Sequence, residues 1–350
     1  MSAYLHAIGT AVPDHDVHAA FIDWARSQVE PRSAKLFDRM VARAGIDHRW
    51  SVLPRAPGGG SPVAAGGFYD GDPHPGTAVR MQVYAQAAPT LALAAIERLG
   101  AQVPLDGITH LVVASCTGFV APGVDQIIAT RLGLGASVER LLVGFMGCYA
   151  AVAALRSARH IVRSEPAARV LVVTVELSTL HLQPATAIEP LLAMLQFGDG
   201  AAAALVAGKP SGFRLDRPVA AALPGSAELI RWDITDRGFA MHLSGEVPGR
   251  IAAALADRAL TAALIGEKEV DAWAVHAGGR SILDAVEHAL NLRPDALVHA
   301  REVLADYGNM SSSTLMFVLA RLLAGPPVRH GVALAFGPGL AAEGFGFASA

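Results

Sequence analysis

The chain has two cysteines in 350 residues, Cys116 and Cys148. Cys148 stands in GFMGCYAA (144–151), where an apolar run meets a glycine and then a helical pattern. A thiol on such an elbow lies near the unpaired N–H groups of a helix start, which favour the thiolate, and a thiolate there is suited to acyl transfer from a thioester. The same features also fit a buried structural cysteine, a frequent fate of free thiols. Cys116 ends an apolar strand without a comparable helix start, so structural use leads for it. His276 closes DAWAVH and is followed by Ala-Gly-Gly. The two glycines let backbone approach a ligand, and a neutral imidazole there can donate to an oxyanion or pair with a thiolate. The plain alternative is a hydrogen-bonded histidine at a strand end. Asn309, in YGNMSSST (307–314), falls where a helix begins, a place that asparagine also takes as a helix cap.

These residues depend on the elements around them. From Ile108 onward, short apolar runs punctuated by glycine alternate with helical patterns, the sign of an α/β protein with buried strands. Strands are expected over 109–115, 141–146, 169–177, 201–207, 271–276 and 331–336, and helices over 149–164, 281–292 and 311–323. Ahead of them lie a Gly- and Pro-rich loop at 55–77 and a helix over 80–99. In the first half a strand runs to Cys116, and Cys148 follows 32 residues later; in the second a strand ends at His276, and Asn309 follows after 33. Each half continues with a glycine turn and a small-residue strand, GDGAAAALV (198–206) and GPGLAAEGFGF (337–347). The spacing suggests an internal duplication that sets the chemically suggestive residues at equivalent points.

Composition removes several classes of function. Hydrophobic residues make up 52% and charged residues 17%, so the chain is globular rather than disordered. A net charge of −3 without a basic block argues against a nucleic-acid surface. Apolar stretches such as 170–175 are too short to span a membrane, and the N-terminus lacks a secretory pattern. Two cysteines make no disulfide framework and suit a reducing cytoplasm. The histidines show no metal-ligand spacing.

Taken together, the segments LHAIGTAVP (5–13), FDRMVARAGIDHRW (37–50), THLVVASCTGFVAPGVDQIIATRLGL (109–134), GFMGCYAAVAALRSA (144–158), VHAGGRSILDAVE (275–287), YGNMSSSTLMFVL (307–319) and GVALAFGPGL (331–340) resemble the chalcone-synthase-like, type III polyketide synthases. The likeness extends to their wider thiolase superfamily and runs through nearly the whole chain. It implies an α/β, five-layered αβαβα fold built from two similar halves, here 1–210 with the nucleophile and 211–350 with the histidine and asparagine. It also implies a homodimer.

The resemblance implies a catalytic Cys148, His276 and Asn309. Cys148 takes a starter from its coenzyme A ester and His276 keeps the sulfur ionised. Asn309 and His276 then hold the thioester carbonyl of malonyl-CoA while CO₂ leaves. Phe197 falls on the family's gatekeeper, with Cys116, Ser178, His181, Trp232, Met241 and Ser311 on substrate-binding positions. Arg39 and Arg43 match two coenzyme A-binding cations, Leu36 stands where a third is usual, and Gly278 and Arg280 are further candidates. No metal and no permanently bound cofactor are implied. Departures from the plant pattern at Cys116, His181, Trp232 and Met241, and Ala121 in place of an interface-crossing methionine, point to a bacterial-type product such as an alkylpyrone or alkylresorcinol. Rival readings are a condensing enzyme using an acyl carrier protein, a cysteine hydrolase, and a silent acyl-binding subunit.

Overall fold

The computed structural model describes residues 2–266 and 268–350. Its frame is a nine-stranded sheet formed by β1 (Ala3–Ala11), β2 (His110–Ser115), β3 (Glu139–Gly144), β4 (Arg169–Leu177), β5 (Asp199–Ala207), β6 (Phe213–Ala222), β7 (Ala272–Val275), β8 (Gly331–Gly337) and β9 (Ala341–Ser349), in the order β7-β8-β9-β6-β1-β5-β4-β2-β3. The helices that matter for the site are α1 (Ala34–Arg43), α2 (Thr77–Gly100), α3 (Ala150–Ser164), α4 (Arg280–Ala289), α5 (Val298–Tyr307) and α6 (Ser312–Leu323).

The strand pattern repeats. In one half-sheet β2 and β4 are parallel, and β4–β5 and β5–β1 are antiparallel. In the other, β7 and β8 are parallel, and β8–β9 and β9–β6 are antiparallel. A short antiparallel pairing of Ala3–Leu5 with Phe213–Leu215 joins them. The sheet is apolar on both sides because both sides are covered. Val112, Ala114, Val170, Val172, Ala202 and Ala204 face one core, whereas Leu111, Val113, Leu171, Val173, Ala201 and Ala203 face another with α2. Helix α6 lies against β1, β4 and β5 of one half-sheet and β7 of the other, and α3 likewise reaches β2, β4, β5 and β9. The layers therefore run α2, half-sheet, α3 with α6, half-sheet, α4 with α5. This is the five-layered α/β arrangement.

Strand β3 departs from expectation. It was read as a buried strand, yet it is the sheet's outer edge, with Leu141 43% and Leu142 45% exposed. Its apolar character serves a face that nothing among the described residues covers, and Phe119 and Phe145 are exposed as well. The loop 55–77, up to the start of α2, carries a 3₁₀ turn over Pro57–Gly59 and one isolated bridge, Ala56 to Gly60. No helix among the described residues is long and apolar enough to cross a membrane.

Candidate active site

The elbow begins where β3 ends. Phe145 takes a left-handed φ of 56°, Gly147 one of 68°, and a 3₁₀ turn over Gly147–Tyr149 feeds α3. A Cβ on Gly147 would come within 2.3 Å of the Pro338 ring, so the Gly-Pro-Gly turn after β8 closes over the elbow only because residue 147 has no side chain. Beneath it, Cys116 Sγ accepts the Gly147 N–H at 2.9 Å and donates to the Gly147 carbonyl oxygen at 3.8 Å. Cys116, expected among the substrate-binding residues, lies against the turn that carries Cys148 and is not among the residues lining the cavity described below.

The later part of the chain supplies the other two candidates, His276 and Asn309. His276 follows β7, its backbone N–H bonded to Leu334 O at 2.8 Å. Both ring nitrogens are buried without a partner. A methyl at Gly278 would press on the His276 ring, 3.3 Å from Nε2, so the glycine leaves that nitrogen approachable. Asn309 is oriented from both ends. Its Oδ1 accepts the Ser311 N–H at 2.8 Å, and its Nδ2 donates to Gly278 O at 3.2 Å. Asn309 therefore lies two residues before the N-cap, Ser311, and keeps a second Nδ2 hydrogen free. Ser311 itself has a left-handed φ of 48°, a strained state for a non-glycine residue. Its hydroxyl makes no hydrogen bond among the described residues, while it and the Asn309 amide both favour the Cys148 thiolate. No hydrogen bond joins His276 to Cys148 among the described residues; Gly278 and Asn309 connect them.

Burial dominates the electrostatics here. It pushes the Cys148 thiol up to about 12, against the lowering influence of Ser311 and Asn309. It also pushes His276 down to about 3. The helix start favours the thiolate, but in this dry site desolvation outweighs the helix-end field. Each charge standing alone is disfavoured. Passing the thiol proton to His276 forms an ion pair with no net charge, which offsets part of that cost.

Glu176 went unnoticed in the sequence. It is fully buried, accepts from Cys116 N at 3.0 Å and Thr117 Oγ1 at 2.9 Å, and binds the Ser312 hydroxyl. Burial raises its pKa to about 7, against those hydrogen bonds. A lone acid in the otherwise apolar RVLVVTVEL was the available signal.

A cavity of about 320 Å³ adjoins this centre, and Phe197, Ser178, His181, Trp232 and Met241 all line it. Ser311, Cys148, His276 and Asn309 do not. Phe197 belongs to both regions, since its backbone bridges to Asn309. His181 offers only its ring to a ligand: Nδ1 accepts the Phe239 N–H at 3.0 Å, so Nε2 carries the proton and donates to Thr117 O at 2.6 Å. The ring stacks on Phe239 with centroids 4.2 Å apart. Arg49 is a lining residue that the sequence did not flag, buried to 2% exposure.

Of the expected coenzyme A residues, Arg43 and Arg280 line a separate hollow of about 470 Å³ with Met40, Gln196 and Ser281. Arg39 is exposed on α1 outside that lining, and Gly278 serves the histidine. Among the described residues, the one grouping of three metal-ligating side chains, His110, Glu139 and Glu165, lies at the start of β2, the far end of that strand from Cys116.

The family model "Chalcone and stilbene synthases, N-terminal domain" matches residues 1–210, and its "C-terminal domain" counterpart matches 215–350. The "Type III polyketide synthase 21" of Oryza sativa subsp. japonica is 37% identical over 263 residues, 69% of this chain and 66% of that protein. The "Alpha-pyrone synthesis polyketide synthase-like Pks18" of Mycobacterium tuberculosis is 33% identical over 285 residues, 77% of this chain and 72% of that one. The structure is similar to that of 1,3,6,8-tetrahydroxynaphthalene synthase from Streptomyces coelicolor, with a TM-score of 0.88 at 28% identity over 99% of each chain.

Proposed function

The chain belongs to the chalcone and stilbene synthase family and is a type III polyketide synthase; on that premise we propose that Cys148, His276 and Asn309 carry its condensation chemistry. The observation behind the assignment is that α6, which begins just after Asn309, packs on the Gly147–Tyr149 turn that carries Cys148, while Asn309 holds the carbonyl of Gly278, the glycine beside the unpartnered His276 ring.

In the proposed sequence, Cys148 passes its proton to His276 and its sulfur attacks the carbonyl carbon of a starter acyl-CoA. The C–S bond to coenzyme A breaks, and the thiol leaves with the proton from His276. Malonyl-CoA follows. An N–H of neutral His276 and the free Nδ2–H of Asn309 hold its thioester oxygen while CO₂ departs, so the electron pair of the broken C–C bond becomes an enolate. That carbon attacks the acyl-cysteine and releases Cys148, giving a coenzyme A ester longer by two carbons. Because both donors are fixed before substrate arrives, little reorganisation is needed as charge develops.

The cavity beyond Phe197 is where we place the growing chain, and the hollow with Arg43 and Arg280 is where we place coenzyme A. Its mostly apolar lining supports a fatty acyl starter and a pyrone or resorcinol product. We read residues 1–210 and 211–350 as the two halves, and exposed β3 with Leu141, Leu142 and Phe145 as the seat of a second copy in a homodimer. Two buried, unpaired cysteines suit a reducing cytoplasm.

The test is incubation of purified protein with malonyl-CoA and a panel of acyl-CoA starters, read by mass spectrometry. Expected are an acyl adduct on Cys148, free coenzyme A, CO₂ and cyclised product. No adduct and no CO₂ with any starter would sink the proposal.

A further inference from the structure

Most buried polar atoms that lack a partner gather in two places. Both His276 ring nitrogens and Ser311 Oγ belong to the catalytic centre, while Arg49 Nη2, Ser178 Oγ and Trp232 Nε1 belong to residues that line the cavity. Buried donors left unbonded are costly, and native sites keep them where a ligand supplies the acceptor.

Arg49 stands apart because it brings charge. Its Nε donates to His18 Nδ1 at 2.9 Å, and its Nη1 donates to the carbonyl oxygens of Met194 at 3.1 Å and Phe197 at 2.8 Å. The guanidinium lies 4.5 Å over the Phe21 ring. Asp16 and Asp199 act on it from a distance, and neither forms an ion pair with it among the described residues. Asp199 is occupied by Val52 N, Thr179 N and Thr179 Oγ1. His18, pushed down to about 4 by burial and by Arg49, adds no negative charge. The guanidinium of this lining residue therefore lies beside a largely apolar cavity, with Nη2 buried and unbonded among the described residues. Charge-assisted bonds of guanidinium to anionic oxygen are among the strongest available.

We propose that Arg49 is a specificity-determining residue whose Nη2 binds an anionic enolate oxygen of the growing β-ketoacyl chain or its hydroxypyrone product, with Trp232 and Ser178 donating to the neutral carbonyl oxygens. This rests on the synthase reading above. The chemistry is apt because a β-dicarbonyl gives up its proton far more readily than an isolated ketone. A cation at the wall favours the enolised chain over a saturated acyl group of the same length. Through Phe197 O the same guanidinium fixes the segment that bridges to Asn309, so chain recognition and the catalytic centre share one anchor.

The test is calorimetric titration of the full chain, without turnover, with 4-hydroxy-6-methyl-2-pyrone and its 4-methoxy ether at neutral pH. The hydroxypyrone, as its anion, is expected to bind about tenfold more tightly than the ether. R49Q should abolish that preference while leaving the ether's affinity near its original value, and R49K should keep part of it. Should R49Q not fold, the comparison in the unaltered protein and in R49K still decides. Equal affinities in the unaltered protein, or a preference that survives R49Q or R49K undiminished, overturn the proposal. A second arm compares Cys148 loading from succinyl-CoA and butyryl-CoA: an Arg49-dependent preference for the carboxylate-ended starter, with none among the pyrones, assigns the cation to the starter and also overturns it. Absence of condensation in the synthase assay would sink the synthase reading alone, since pyrone binding needs no turnover.

Discussion

Cys116 Sγ accepts the backbone N–H of Gly147 at 2.9 Å, so one cysteine of the chain holds the turn that presents the other.

Replacing Cys116 with alanine should therefore leave a buried N–H unbonded and cost about 1–3 kcal/mol of stability. Thermal unfolding should show the loss, while mass spectrometry still finds acyl adducts on Cys148. Unchanged stability together with an altered product length would return Cys116 to the pocket.

His276→Gln should move the pH at which Cys148 becomes reactive. Burial pushes this thiol up to about 12, against the lowering influence of Ser311 and Asn309, and proton transfer to His276 is the route that spares the site a net charge. The pH midpoint for alkylation by iodoacetamide should rise in the variant, by about one unit or more. A midpoint that does not move rules out the pairing.

Glu176→Gln should change how stability depends on pH. The folded pKa of about 7 lies above the ordinary value of 4.5. The group's contribution is thus fully present below pH 4.5 and is lost as pH rises through about 7. Relative to the unaltered protein, the variant should gain stability between pH 5 and 8, by something on the order of 3 kcal/mol. Melting temperatures of both proteins across that range provide the check, and parallel curves would contradict it.

Trp232→Ala removes a half-buried indole that packs edge-on to His181 and Phe239, with centroids 5.7 and 6.0 Å away. The cavity should enlarge at a cost of about 1–3 kcal/mol, below the full-burial range because the ring is partly exposed. Product analysis should shift toward longer or bulkier starters. An unchanged starter profile would mean that the indole does not limit the cavity.

Much of the frame was legible in the sequence. The apolar runs that became β2, β4, β5 and β8 are short and buried on both faces, which leaves length and composition enough to recognise them. The spacing of Cys148 and Asn309 after equivalent strands carried the duplication, which the repeated strand order then displayed. Strand β3 escaped because an apolar run reads as buried whether its cover comes from the same chain or from another. Glu176 was a charge in an apolar strand, and only its hydrogen-bond partners give it meaning.

The sequence by itself determined which residues can do chemistry and the order of the elements that carry them, because thiol, imidazole and amide are local properties and periodicity is a near-neighbour one. Tertiary structure decided the rest. Burial, rather than the helix start, sets the resting protonation of Cys148, and Asn309 is oriented by Gly278, 31 residues earlier. Arg49 meets Phe197 across 148 residues of chain. Desolvation and such distant contacts are sums over atoms that folding alone brings together, and no local stretch of sequence records them.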